Sequence, residues 1–355
     1  MSLIIAFLIF SLIVVVHEFG HFIIARKNGI LVEEFAVGMG PILLKKQKGE
    51  TLYTIRALPL GGFCKMLGED ESTDDNANIE KSFNNKTVLQ RIAVISAGSI
   101  MNFILSFVIA MILVFVNGFG TTIVNFPIEN TPAYIAGLQS GDRIVRIDNS
   151  RIRIFEDVQF ALVNNGATPI DLTINRDGTM IIKEITPMQV GQNYMIGFSP
   201  QQYAGFFSSD THGLERAGFL ESISTSFWTV GSYVRLVLHG LGQLVTFNVS
   251  VDEMAGPVGI VNVIGDVYQN NIEISVWHTA TIMLRLAALI SANLGVFNLL
   301  PFPALDGGRL AFLSIEAVRG KPINPEKEGI VHLVGFAMLM VLFVLVTFND
   351  ITRLF

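Results

Sequence analysis

Cysteine is nearly missing: Cys64 is the only one in 355 residues, so no internal disulfide framework holds this chain together. Charge is scarce as well. Asp, Glu, Lys and Arg make up 15% of the residues, against about 25% in an ordinary globular protein. That excludes a disordered tail protein and a coiled coil. No basic surplus exists either: 24 Lys and Arg face 30 Asp and Glu, a net charge of −6, which argues against a nucleic-acid partner. What the chain has instead is apolar length. Apolar residues reach 51%, and the class that remains is an integral membrane protein with a water-exposed part.

A membrane span takes about 20 apolar residues. Four stretches qualify, at 3–25, 92–120, 286–305 and 329–348. The first is a poor signal peptide, because it lacks a basic leader and carries His17, Glu18 and His21 inside the apolar run. Lys and Arg then set the orientation. Ten lie between the first and second stretches and four between the third and fourth, whereas 121–276 holds eight across a far longer segment. The two short connections therefore read as cytoplasmic, and the long segment and both termini as extracytoplasmic.

Within the long segment, 121–199 alternates like short strands around turns such as Arg176-Asp177-Gly178. Residues 219–247 are apolar enough to suggest a fifth span, but Glu221, Arg235 and His239 interrupt them. A lone crossing there would put the third stretch on the wrong side. The expectation is a helix along the outer face or against the core, with Arg235 and Glu221 towards water.

The chemistry concentrates in two places. His17-Glu18-Phe19-Gly20-His21 is the H-E-x-x-H pattern of a zinc site. On a helix, positions i and i+4 share one face, so both imidazoles can reach one ion. Glu18 stands beside them, near enough to act as an acid and base without being a ligand. Ionisable residues inside a membrane helix are costly and normally functional. A catalytic zinc takes three protein ligands and keeps one position open. The third is expected from Asn298-Leu-Leu-Pro301-Phe-Pro303-Ala-Leu-Asp306-Gly307-Gly308, where the prolines break a helix and Asp306 supplies an oxygen. His212, His239, His278 and His332 have no partner spacing and read as ordinary residues. Cys64 is the one nearby residue that could close the site as a fourth, structural ligand.

These motifs resemble those of the site-2 intramembrane zinc metalloproteases, in the bacterial RseP-like branch. The likeness extends to Phe35-Ala-Val-Gly38-Met-Gly40-Pro41, Pro59-Leu-Gly61-Gly62 and Gly256-Pro257-Val258-Gly259. It implies one Zn2+ per chain on His17, His21 and Asp306, catalysis by Glu18, and substrate contacts from Asn298 and Asn102. In the second span, Gly98 and Asn102 are kept but Ser99 replaces a usual proline. Residues 121–199 resemble a PDZ domain, with Ile196-Gly197-Phe198 as the groove strand; PDZ grooves bind a peptide as an added strand. Residues 42–47 and 51–58 flank Lys48-Gly49-Glu50 as a β-hairpin, which family members place re-entrantly beside the zinc. Gly61, Gly62, Tyr53 and Ile55 would then present an extended substrate.

The resulting expectation is a polytopic α-helical membrane protein with four transmembrane helices, a re-entrant β-hairpin and an inserted α+β PDZ domain. Residues 1–120 hold two helices, the zinc motif and the hairpin. Residues 121–199 form the PDZ domain, 200–275 an extracytoplasmic amphipathic segment, and 276–355 the last two helices. The implied partner in the bilayer is a single-pass membrane protein pre-cleaved by another protease, such as an anti-sigma factor or a remnant signal peptide. The implied location is a bacterial cytoplasmic membrane. The alternative is a non-catalytic PDZ-bearing chaperone or adaptor with a structural metal.

Overall fold

The protein is described from a computed structural model, in which residues 2–69, 79–191, 193–208, 211, 213–246, 256–273 and 275–353 are described. His212 lies outside them. The chain runs α1 (Ser2–Lys27), β1 (Val32–Lys48), β2 (Thr51–Met66), α2 (Val88–Asn117), β3 (Phe119–Pro127), α3 (Pro132–Ile135), β4 (Arg143–Ile147), β5 (Ser150–Arg151) and α4 (Phe155–Asn165). It continues through β6 (Ile170–Arg176), β7 (Thr179–Ile185), β8 (Met188–Val190), β9 (Asn193–Met195), β10 (Phe198–Tyr203), α5 (Phe219–Val245), α6 (Pro257–Ile272), α7 (Val276–Leu299), α8 (Asp306–Arg319) and α9 (Pro325–Thr352). Two compact units result: Met1–Ser106 with Val237–Phe355, and Phe107–Leu236.

Four helices are long and apolar enough to cross a membrane: Leu3–Lys27, Val88–Asn117, Val276–Leu299 and Glu326–Thr352. They agree with the sequence reading except in the third. That helix takes in Arg285 and stops at Leu299 rather than reaching residue 305. The cause is local, since Pro301 and Pro303 have no N–H to donate and their rings block a continuing helix. In contrast, α2 passes Ser99 without a break.

In the first unit the hairpin is longer than expected, and it folds back on itself. Residues 32–48 pair antiparallel with 51–66, while Glu34–Val37 also pair, running in the same direction, with Leu52–Ile55. The strand order is therefore 62–66, 32–37, 51–56, 42–48. The bend falls where Gly38, Gly40 and Gly61 take φ of 85°, 82° and 72°, a region that L residues with a Cβ avoid. A Cβ on Gly38 would also lie 2.5 Å from the Leu58 carbonyl oxygen. The two glycine-proline motifs thus make the fold-back. Arg56 braces it, donating to Glu34 and to the Gly40 carbonyl. Burial pushes the Glu34 carboxyl up, but hydrogen bonds from Thr54 and Arg56 outweigh it and hold it below the usual range. Against this sheet, Phe22 of α1 meets Phe35 and Tyr53, with ring centroids 5.1 and 6.0 Å away.

The 200–275 segment is not one amphipathic piece. Its second helix, α6, belongs to the first unit, where Ile264 packs with Ala6 of α1 and Met283 of α7. Its apolar side needs that cover. With 16 residues it is about 24 Å long, short of the roughly 30 Å of a hydrocarbon core. The Gly256-Pro257-Val258-Gly259 motif begins it: the N–H groups of Gly256 and Gly259 donate to Asp350 of α9 at 3.0 and 2.8 Å. The buried Asp350 carboxyl thus sits at a helix N-terminus, where the free amides supply its hydrogen-bond donors.

The second unit is built on a sheet of order β10-β3-β4-β6-β7, with β5 paired to β4. Its core joins Val124, Ile144, Ile147, Leu172, Ile174 and Ile196 to Val158 and Leu162 of α4. Buried Asp142 clamps the 137–142 loop, accepting from the Gln139 N–H and twice from Arg176. Burial raises that carboxyl, yet the Arg176 bonds outweigh it and hold it below the ordinary carboxylate range. In α5 the small residues Ser222, Thr225, Ser226 and Thr229 are buried while Leu220 and Phe227 are exposed. Glu221 faces outward as expected, and Arg235, part-exposed, is paired with Asp157.

Candidate metal centre

Helix α1 runs unbroken through Phe19-Gly20, and Gly20 lets α2 approach. A Cβ at Gly20 would sit 2.4 Å from the Ala97 carbonyl oxygen. Small residues at such crossings are how membrane helices approach closely. Across this crossing, α2 presents Val94, Gly98 and Asn102 at four-residue spacing towards His17 and His21. The Val94 carbonyl accepts from His21 Nδ1 at 2.9 Å. Gly98 leaves room for both rings, and Asn102 lies 3.2 Å from His17 Nδ1.

Asp306 arrives from the other side. After α7 ends, Phe302 N–H donates to the Leu300 carbonyl and Leu305 N–H to the Phe302 carbonyl, so Leu300–Leu305 forms a tight turn that delivers Asp306 as the first residue of α8. Gly307 is required there, since a Cβ would lie 2.0 Å from the Leu300 carbonyl oxygen. Ala304 takes a left-handed φ of 72°, which costs about 1–2 kcal/mol in an L residue. Its N–H donates to His332 Nδ1 of α9 at 2.9 Å, and Gly335 of α9 lies against Pro303. In the sequence His332 reads as an ordinary residue, and no local signal marks it because 28 residues separate it from Ala304.

His17, His21 and Asp306 are the group of potential metal ligands found among the described residues. Their three facing atoms form a nearly equilateral triangle. His17 Nε2 and His21 Nε2 are 3.2 Å apart, and Asp306 Oδ2 lies 3.1 and 3.3 Å from them. Zinc bonds of about 2.0–2.1 Å at tetrahedral angles would separate ligand atoms by about 3.3–3.4 Å. With Nδ1 turned to the Val94 carbonyl, neutral His21 would offer its Nε2 lone pair to the same point as the Asp306 oxygen, a donor set suited to a cation. The residues fit zinc.

The other expected residues divide. Asn298, in the last turn of α7, has its amide nitrogen 3.4 Å from His17 Nε2, at the edge of the triangle. Glu18 lies near the backbone N–H of Cys64, which is on the sheet edge at 62–66. Cys64 is not in the ligand group. Gly61 and Gly62 share that edge, beside Val14 and Val15 of α1. Tyr53 and Ile55 do not: their strand is paired on both sides, and Tyr53 packs under Phe22. Asn102 is fully buried against His17 and Ser291 rather than open to a substrate. In the second unit, Ile196 is a core residue, and the Gly197 carbonyl accepts from Ile128 and Thr131. Phe198 opens the edge strand β10, against Phe155.

Residues 5–342 match the profile of peptidase family M50. This chain belongs to that family. It is 35% identical to the zinc metalloprotease RasP of Bacillus licheniformis over 435 aligned positions, with all of each chain covered. It is 33% identical to the regulator of sigma-W protease RasP of Bacillus subtilis, with 99% of each covered. RasP of Geobacillus kaustophilus is 32% identical, with 100% of this chain and 98% of its own covered. The M50 chain described here is therefore an integral membrane zinc metalloprotease of the site-2 type. Family membership sets aside the alternative of a non-catalytic adaptor.

Proposed function

We propose that this M50 peptidase hydrolyses peptide bonds within or at the edge of the transmembrane segment of single-pass membrane proteins. The observation that carries this reading is the ligand triangle, built on one spanning helix and closed by the turn after another. His17, His21 and Asp306 would hold one zinc ion, which when bound acts as a Lewis acid and activates water at neutral pH. Glu18 takes a proton from water and returns it to the leaving amine. Asn298 orients the scissile segment beside the imidazoles. A helical substrate has its amides paired internally, so it must be held extended before its bond is reachable. The strand edge at Gly61–Cys64, adjacent to Glu18, supports that role by strand addition.

The 121–199 region reads as a PDZ domain on the extracytoplasmic side of a bacterial cytoplasmic membrane, with both chain ends on that side. The Lys and Arg distribution supports this orientation. So does α6, which packs with the N-terminal parts of α1 and α7 and the C-terminal part of α9. A substrate already shortened by another protease, as an anti-sigma factor would be, suits a metal site built on a membrane-spanning helix. The sigma-W name of one relative is in keeping with such a substrate. Mapping the cut by mass spectrometry on a reconstituted single-pass substrate, full-length and truncated, tests the reading. A cut in or beside the membrane segment of the truncated form is expected; cleavage confined to the soluble part would contradict it.

A further inference from the structure

Asn102 is fully buried beside a zinc ligand, and its amide raises a chemical question. The structure sets Asn102 Nδ2 at 3.2 Å from His17 Nδ1, while Asn102 Oδ1 is buried with no hydrogen-bond partner. In that setting Nδ2 would donate to Nδ1, and the imidazole proton would sit on Nε2. That proton would point at His21 Nε2 and Asp306 Oδ2, into the space a metal must take. Amide oxygen and nitrogen have the same shape, so partner chemistry decides which lies where. Turning the amide by half a revolution places Oδ1 on Nδ1–H and bares the Nε2 lone pair.

We propose that Asn102 is a positioning residue for His17, its Oδ1 accepting the Nδ1–H and fixing the tautomer that offers Nε2 to zinc. The neighbouring ligand shows the same logic, because His21 Nδ1 meets the Val94 carbonyl. One face of α2 thus sets both imidazoles, through a backbone acceptor at 94 and a side-chain acceptor at 102, with Gly98 giving space between them. Ser291 Oγ on α7 donates to the Asn102 carbonyl at 2.8 Å, and Gly295 receives the Phe103 ring. These contacts fix the turn of α2 that carries the amide. Partners of this kind hold ring orientation and ligand basicity, and losing one typically costs about 10–100-fold in metal affinity.

The inference rests on His17 being a ligand, and the test separates the two. Zinc affinity of the purified full chain is measured by competition with a chelating dye, and the visible spectrum of the Co2+ form is recorded. Asn102→Leu should weaken zinc about 10–100-fold and alter the Co2+ bands, while Asn102→Asp, which keeps an acceptor, should restore both. Unchanged affinity and bands in Asn102→Leu would overturn the role of Asn102. Unchanged binding in His17→Ala would overturn the ligand assignment itself. Should the leucine variant not fold, nitrogen NMR on the zinc-loaded wild-type chain decides. A proton on His17 Nδ1 with the metal on Nε2 is expected; the reverse would refute the proposal.

Discussion

Gly98 faces His21 so closely that a Cβ built on it would lie 2.4 Å from Nε2, and 2.7 Å from Nε2 of His17. The distance explains a glycine in the middle of a membrane helix, where a bare backbone otherwise weakens it. The site is shaped as much by an atom that is missing as by those that bind.

Gly98→Ala is the smallest change that fills this space. Alanine is the better helix former by about 1 kcal/mol, so helix stability alone would favour it. The expected outcome is the opposite for function: zinc stoichiometry falls well below one and proteolysis falls with it, while the helical circular dichroism is kept. Metal content by atomic emission on the purified variant checks this.

The sheet edge gives a second expectation. Cys64 faces Glu18 with its backbone N–H, and its thiol is not in the metal-ligand group, so Cys64→Ala should keep most of the activity. Cys64→Pro removes the N–H and should reduce cleavage at least tenfold with zinc still bound. Tyr53→Pro, inside the sheet, loses a ladder bond and should destabilise the sheet, visible as protease sensitivity. Equal effects of the two proline variants on stability and cleavage would argue against a distinct role for the edge.

His332 and Ala304 form a third test. His332→Leu removes the acceptor for the Ala304 N–H and leaves a left-handed alanine unsupported, so zinc affinity through Asp306 should drop several-fold. Glycine adopts that conformation freely. Ala304→Gly in the His332→Leu background should therefore recover part of the loss, measured by the same dye competition.

Much of this was legible beforehand, and the reasons are specific. His17 and His21 are four residues apart on one helix, with Glu18 between them, so local periodicity brings the two imidazoles together. Asp306 could be placed because two prolines announce the break that delivers it. The fold-back of the hairpin was not legible, since pairing 34–37 with 52–55 requires knowing that the glycine bends close on each other. Tyr53 looked like an open edge for that reason. The partners of Asn102 and His332 were not legible because they lie 85 and 28 residues away. A count of uncharged residues overruns the third span, because Pro301 and Pro303 stop the helix at Leu299.

The most direct test concerns Glu18, the one residue assigned to proton transfer and not to metal binding. Glu18→Gln keeps the side-chain shape and can still accept from the Cys64 N–H, but it cannot take a proton. Zinc content and cleavage of a truncated single-pass substrate should be measured on the same reconstituted preparation, beside Asp306→Ala. The account requires Glu18→Gln to bind zinc as the wild type does and to cleave at least a hundredfold more slowly, with Asp306→Ala losing both. Wild-type cleavage by Glu18→Gln, or loss of its zinc, would contradict it.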